Sequence, residues 1–117
     1  MIDEREIRWV GSSYDDILEF PSAARREAGF QLGRLQCGLD PEDWKPFDDV
    51  GPGVREIRIR DINGIYRVMY VAKFDEAVFV LHCFQKKTRA TSKQDKEITA
   101  IRYRAIVREI RERKAQI

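Results

Sequence analysis

The sequence predicts an α+β domain: a mostly antiparallel sheet with its helices collected on one face, two of them N-terminal and one at the C-terminus. Three observations carry this. Residues 54–85 place apolar residues at period two or in one short continuous run, which is the pattern of strands. Residues 24–35 and 98–110 repeat apolar residues at helical spacing. Asn63-Gly64 lies between two strand-like segments, and both residues tolerate positive φ, as a two-residue hairpin turn requires.

The elements follow in order. REIRWV, residues 5–10, alternates weakly and reads as a first strand. Gly11-Ser12-Ser13 breaks it, and Ser13 with Asp16 three residues on fits a capping box at a helix start. Pro21 suits the first turn of a new helix, because it lacks only an N–H that would be unpaired there, so residues 13–37 read as two helices in sequence or one with a sharp bend. Ala24, Ala28, Leu32 and Leu35 form the apolar stripe of that helix, and Gly38 is its stop. Residues 38–53 hold three prolines, three glycines and five acids and read as a loop, pinned to the body by Trp44 and Phe47. VREIRIRDI then alternates strictly: Val54, Glu56, Arg58 and Arg60 on one side, Arg55, Ile57, Ile59 and Asp61 on the other. IYRVMYVAKF is its hairpin partner. AVFVLHCFQKK follows the Asp75-Glu76 turn as a strand buried on both faces. Ser92 and Asp95 form a second capping box before a helix over 92–114, with Ile98, Ile101, Ala105 and Ile110 as its apolar stripe.

Composition bounds the function. A chain of 117 residues with 43% hydrophobic content supports one core, hence a single domain over 1–117. No apolar run approaches the roughly 20 residues of a bilayer span. The acidic start MIDEREIRW is not a signal peptide, so a cytoplasmic protein is expected. Cys37 and Cys83 lie far apart in apolar settings and read as buried free thiols. With one histidine, His82, and no clustered ligands, neither a metal nor a cofactor is expected.

The net charge of +2 conceals a split: residues 1–53 carry six basic and 12 acidic side chains, residues 54–117 carry 16 basic and eight acidic. That asymmetry points to a polyanionic partner for the second half. If Ile57 and Ile59 point inward, Arg58 and Arg60 point outward together, with Arg67 on the next strand and Lys86 and Lys87 at the end of the third. Guanidinium forks and ammonium groups are the side chains that hold phosphate. Tyr66, Tyr70, Phe84 and Tyr103 are candidates for stacking on bases. Two readings stand at this point: a nucleic-acid contact or a solvated basic face. His82 is either a satisfied core imidazole or an acid–base group.

The segments REIRIRD, YRVMYVA and VLHCFQKKT, the Ser-capped helix ending IRYRAIVREI, and the N-terminal SYDDILEFPSAARREAGFQLGRLQCG together resemble the phage-related HigB-like branch of the RelE/ParE toxin superfamily. The resemblance spans nearly the whole chain. It implies a compact RelE/ParE-like α+β fold and the toxin of a type II toxin–antitoxin pair, a ribosome-dependent endoribonuclease that cleaves mRNA without a metal. It also implies a cognate helix-turn-helix (HigA-like) antitoxin, with the ribosome and mRNA as partners. By position, Arg67 matches the strand arginine used on the scissile phosphate, Arg58 falls near a strand lysine used for acid–base or charge work, and Lys87 falls where another arginine stands. Arg60 and Lys86 are adjoining phosphate contacts. The sequence departs from the resemblance in having no counterpart of the C-terminal stacking tyrosine and no histidine–acid cluster, which leaves the general base unassigned. The alternatives are a ParE-like protein that binds DNA gyrase without nuclease chemistry, and an inactive RNA-binding relic.

Overall fold

The computed structural model describes residues 4–116; the first three residues of the N-terminal segment read above lie outside the described residues. Strand β1 (Ile7–Trp9) leads into helices α1 (Ser13–Leu18) and α2 (Ser22–Gln36). Strand β2 (Trp44–Pro46) and one 3₁₀ turn (Asp48–Val50) follow, then β3 (Val54–Asp61), β4 (Gly64–Val71), β5 (Val78–Lys86) and α3 (Lys93–Ala115). The sheet order is β1-β5-β4-β3-β2. All pairings are antiparallel except the edge pair β1–β5, so the sheet is mixed and the molecule is an α+β globule with flanking helices.

Local signals account for most boundaries. Pro21 sits at φ −53° as the N-cap of α2, and α2 ends in a Schellman motif: Leu39 N–H donates to Arg34 O at 2.9 Å and Gly38 N–H to Leu35 O at 3.0 Å. Gly38 makes this possible at φ +82°, where a Cβ would be strained. The hairpin forms, but one residue earlier than expected: Asp61 pairs with Gly64, so the two turn residues are Ile62 and Asn63, and of the expected Asn63-Gly64 pair only Gly64 takes a positive φ. The Asp61 carboxylate holds this turn by accepting from Asn63 N–H at 3.0 Å. At α3 the serine half of the capping box forms, with Ser92 Oγ accepting from Asp95 N–H at 3.1 Å, while the Asp95 carboxylate turns to the Ser92 hydroxyl and His82. At α1 it does not. Ser12 is the N-cap, and its hydroxyl donates to Asp16 Oδ2 at 2.7 Å, while Ser13 is buried and donates to Val80 O.

The helices do not share one face, which corrects the single-faced arrangement read from the sequence. α1 and α2 cover one side of the sheet, packing Ile17, Phe20, Ala24, Ala28, Leu32 and Leu35 on Ile57, Ile59, Val68, Val78 and Val80. α3 covers the other side, packing Tyr103, Ile106 and Ile110 on Val54, Met69, Val71, Phe79 and Leu81. The reason is that β4 and β5 are apolar on both faces, so one layer of helices cannot bury them. A bulge between Met69 and Tyr70, opposite Leu81, turns Leu81 and His82 toward α3.

Two further readings change. The buried stripe of α3 is Thr99, Tyr103, Ile106 and Ile110, whereas Ile101 is 59% exposed and Ala105 is also exposed. Of the expected stripe Ile110 is buried and Ile98 half-buried; arginines flank both Ile101 and Tyr103, so apolar spacing alone did not separate these two. The 38–53 loop contains a short edge strand, because Trp44–Pro46 pairs with Arg55–Ile57. Trp44 does pin it, with the Arg55 guanidinium 4.1 Å from its ring centroid.

The thiols divide as well. Cys83 is buried and its pKa is pushed up, mainly by burial, but Cys37 is exposed at the end of α2. A thiol reagent at neutral pH is therefore expected to label one cysteine per native chain, Cys37, and two in denaturant, as counted by intact-mass spectrometry. Prompt native labelling of Cys83 would contradict this packing.

Candidate nucleic-acid interface

Alternation along β3 puts Glu56, Arg58 and Arg60 on the α3 side of the sheet. Register carries the pattern across the strands. Arg58 stands opposite Arg67, Arg60 opposite Ile65, and Ile65 opposite Lys86. At the sheet edge Lys45 stands opposite Glu56. The structure thus brings Arg58, Arg60, Arg67 and Lys86 together on one face and adds Lys45. Lys87 follows the last residue of β5 and is exposed. With Lys86 it lines a depression of about 430 Å³ that reaches Phe84, Ser92 and Asp95 at the start of α3.

Two arginines directly opposite each other repel. Carboxylates offset this. Glu56 is only 1% exposed, with Oε2 3.7 Å from Arg67 Nε and Oε1 3.5 Å from Lys45 Nζ. Asp43 Oδ1 lies 3.6 Å from Arg58 Nε. These separations are too long for good hydrogen bonds. Among the described residues, the Nε atoms of Arg58 and Arg67 and both Glu56 oxygens are shielded from solvent without a hydrogen-bond partner. Arg67, 5% exposed, gives one N–H to Tyr66 O at 3.3 Å. The cations are held by charge more than by saturated hydrogen bonds, and the groups an incoming anion can reach are the exposed Arg60 and Lys45 and the partly exposed Arg58 and Lys86, with the buried Arg67 adding its charge from beneath. Burial lowers the Arg67 pKa, with Glu56 opposing that shift and Arg58 adding to it; the group stays cationic. Lys86 is lowered by burial first and then by Arg67, with Lys45 and Arg58 contributing. Burial is the main cause in both groups, and the neighbouring cations add to it.

The tyrosines go elsewhere. Tyr66 and Tyr70 are one and three positions from Arg67, so they point to the opposite face. Tyr66 packs on Phe20 with ring centroids 4.7 Å apart. Tyr70 is wholly buried, and burial pushes its phenol up to about 12. Tyr103 is 7% exposed, its hydroxyl donates to Pro52 O at 2.8 Å, and it accepts from Lys73 Nζ at 3.1 Å. None of the three presents a free ring face beside the cations. The aromatic that does lie on that face is Phe84, stacked on His82 at 4.9 Å.

His82 is 6% exposed and its Nε2 meets Asp95 Oδ1 at 2.7 Å. A carboxylate only accepts, so Nε2 carries the proton in this arrangement. Ser92 donates to Asp95 Oδ2 at 2.7 Å, so the capping serine, the aspartate and the imidazole form one chain joining α3 to β5. The other ring nitrogen, Nδ1, is shielded and unpartnered among the described residues, and it faces no solvent from which a substrate could approach. His82 therefore anchors α3 beside the cations in this conformation.

Sequence reasoning missed Glu56, Lys45, Asp43 and the His82–Asp95 bond. Glu56 was visible as the third member of the Arg58–Arg60 alternation set. Asp95 was visible only as a cap. Among the described residues, no three His, Cys, Asp or Glu side chains converge as metal ligands. No helix there is long and apolar enough to cross a membrane.

Residues 15–104 match the family described as Phage derived protein Gp49-like (DUF891). The chain belongs to that family. The matched span runs from α1 into α3 and includes every strand of the cation face, so the arrangement of Arg58, Arg67 and Lys86 lies within the Gp49-like core. No curated protein matches the chain.

Proposed function

We propose that this Gp49-like chain is the toxin of a type II toxin–antitoxin pair and acts as a ribosome-dependent mRNA endonuclease, with a RelE/ParE-like fold. One observation carries the reading: five cations, Lys45, Arg58, Arg60, Arg67 and Lys86, gather on one sheet face around a buried carboxylate. Such a cluster suits a phosphodiester in the act of cleavage. The RNA 2′-hydroxyl oxygen attacks phosphorus, the bond to the 5′-oxygen breaks, and a 2′,3′-cyclic phosphate forms while the proton leaves the 2′-oxygen and another reaches the 5′-oxygen. Negative charge grows on the non-bridging oxygens, and preorganised cations stabilise it. In this reading Arg67, paired with Glu56, supplies charge to the phosphate, Arg58 and Lys86 flank it, and Arg60 and Lys87 receive neighbouring phosphates. The proposed partners are the ribosome with its mRNA and a helix-turn-helix antitoxin, and the proposed location is the cytoplasm.

Induced expression in a bacterial host is expected to halt incorporation of labelled methionine before that of labelled thymidine. The opposite order, together with inhibition of gyrase supercoiling by the purified chain, would favour a ParE-like gyrase poison. Normal incorporation of both would favour an inactive RNA-binding relic.

A further inference from the structure

A second basic feature lies at the other end of α3. Between the Gly51–Gly53 turn and the C-terminal half of α3 runs a groove of about 450 Å³. Its floor is apolar: Pro52, the edge of Tyr103, and Val107. Its rim is Arg104, Arg108 and Arg111, with Glu112 closing the C-terminal end. The three arginines recur at i, i+4 and i+7, so they stand in one row about 10 Å long. All three are exposed, and among the described residues none has a carboxylate within 4.0 Å. The acid at pairing distance along the helix is Glu112, four residues beyond Arg108; it lines the same groove, but among the described residues it makes no ion pair within 4.0 Å. Like charges stacked on one helix face destabilise it, and an anionic occupant removes that cost.

The floor decides between two anionic occupants. Nucleic acid could meet the arginines through its phosphates alone, but to use the floor as well it would need a ring face on which to stack a base. The Tyr103 ring face is closed off by the backbone at Gly51, where a Cβ would lie 2.4 Å from a ring carbon. Its hydroxyl is committed to Pro52 O. What remains is an apolar trough that a phosphodiester backbone cannot fill. An aliphatic or aromatic side chain on an acidic peptide fills it and brings carboxylates to the guanidinium row, where bidentate pairing is available.

We propose that this groove binds an acidic peptide segment of a partner protein, one large apolar residue seated on Pro52, Tyr103 and Val107 and flanking carboxylates paired with Arg104, Arg108 and Arg111. The groove is separate from the cation face. Arg108 lies 13 residues beyond Asp95 along one helix, about 20 Å. The segment can therefore dock without occupying Arg58, Arg67 or Lys86.

The test uses the full chain and a dye-labelled 12-residue peptide of alternating Glu and Asp with one central Leu, read by fluorescence anisotropy. Replacing that Leu by Ser in the probe is expected to weaken binding about tenfold. Arg104→Glu and Arg108→Glu together, both on exposed helix positions, are expected to abolish it. A probe with Lys in place of its acids should bind that double variant better than it binds the original chain. A single-stranded RNA 12-mer should bind the double variant within about threefold of the original chain. The proposal is overturned if the Leu and Ser probes bind equally, or if RNA displaces the peptide and itself loses most of its affinity in the double variant, which would make the row a nucleic-acid contact.

Discussion

Replacing Glu56 by glutamine is expected to destabilise the chain by about 3 kcal/mol, the low end for breaking a buried ion pair by removing one partner. Glutamine keeps the shape, so the loss comes from charge. Arg67, 5% exposed, would remain buried opposite Arg58 with its nearest carboxylate gone. The low end is appropriate because the Glu56–Arg67 and Glu56–Lys45 contacts, at 3.7 and 3.5 Å, are long. Arg67→Ala should destabilise by a similar amount for the mirror reason, since it strands the carboxylate. Removing both charges together, as Glu56→Gln with Arg67→Met, should recover most of the stability and none of the activity. Urea unfolding of these variants, with Arg67→Met alone to complete the cycle, checks this. Additive losses in the double variant would show that the two residues do not compensate each other. A practical consequence is that Arg67→Ala alone is a poor probe of function, because lost activity would be confounded with lost folding.

The cleaner functional probe is Arg58→Ala with Lys86→Ala. Both side chains are half-buried, and neither is the closest partner of the Glu56 carboxylate. If each holds one phosphate, removing both should flatten the dependence of single-stranded RNA affinity on salt by about 1.4 log units per log unit, at about 0.7 per contact. Loss of a preorganised group that stabilises transition-state charge costs about 10²–10³ in rate. Cleavage in a translating extract should therefore fall by at least a hundredfold while urea unfolding stays nearly unchanged. An unaltered salt slope would remove these two residues from the RNA contact.

Much of this molecule was legible in local sequence. The Schellman stop at Gly38 and the Ser92 cap are set by residues within a few positions of one another, and each formed; the hairpin formed too, with its turn one residue earlier, at Ile62-Asn63. The cation face was legible too, because strict alternation in VREIRIRD leaves Arg58 and Arg60 on one side whatever the sheet does. What local sequence could not reveal depends on which surface each element meets. Ile101 and Tyr103 both sit in plausible stripes on α3; only docking against Val54, Met69 and Phe79 selects Tyr103 for the core. Tyr66 and Tyr70 alternate with Arg67, a period-two fact that places them across the sheet from it, yet their type alone suggested stacking. Glu56 was read as one charge among many because nothing short of the β2 and β4 register shows that Lys45 and Arg67 close over it.

The central claim is that the face bearing Arg58, Arg67 and Lys86 acts on RNA phosphate. Sequencing mRNA 5′ ends after brief induction, in the original chain and in Arg58→Ala with Lys86→Ala, tests it most directly. The account predicts new 5′ ends within translated reading frames for the original chain, in register with codons, and their loss in the variant at equal protein abundance. Growth arrest with intact mRNA, or the same cuts in the variant, would contradict it.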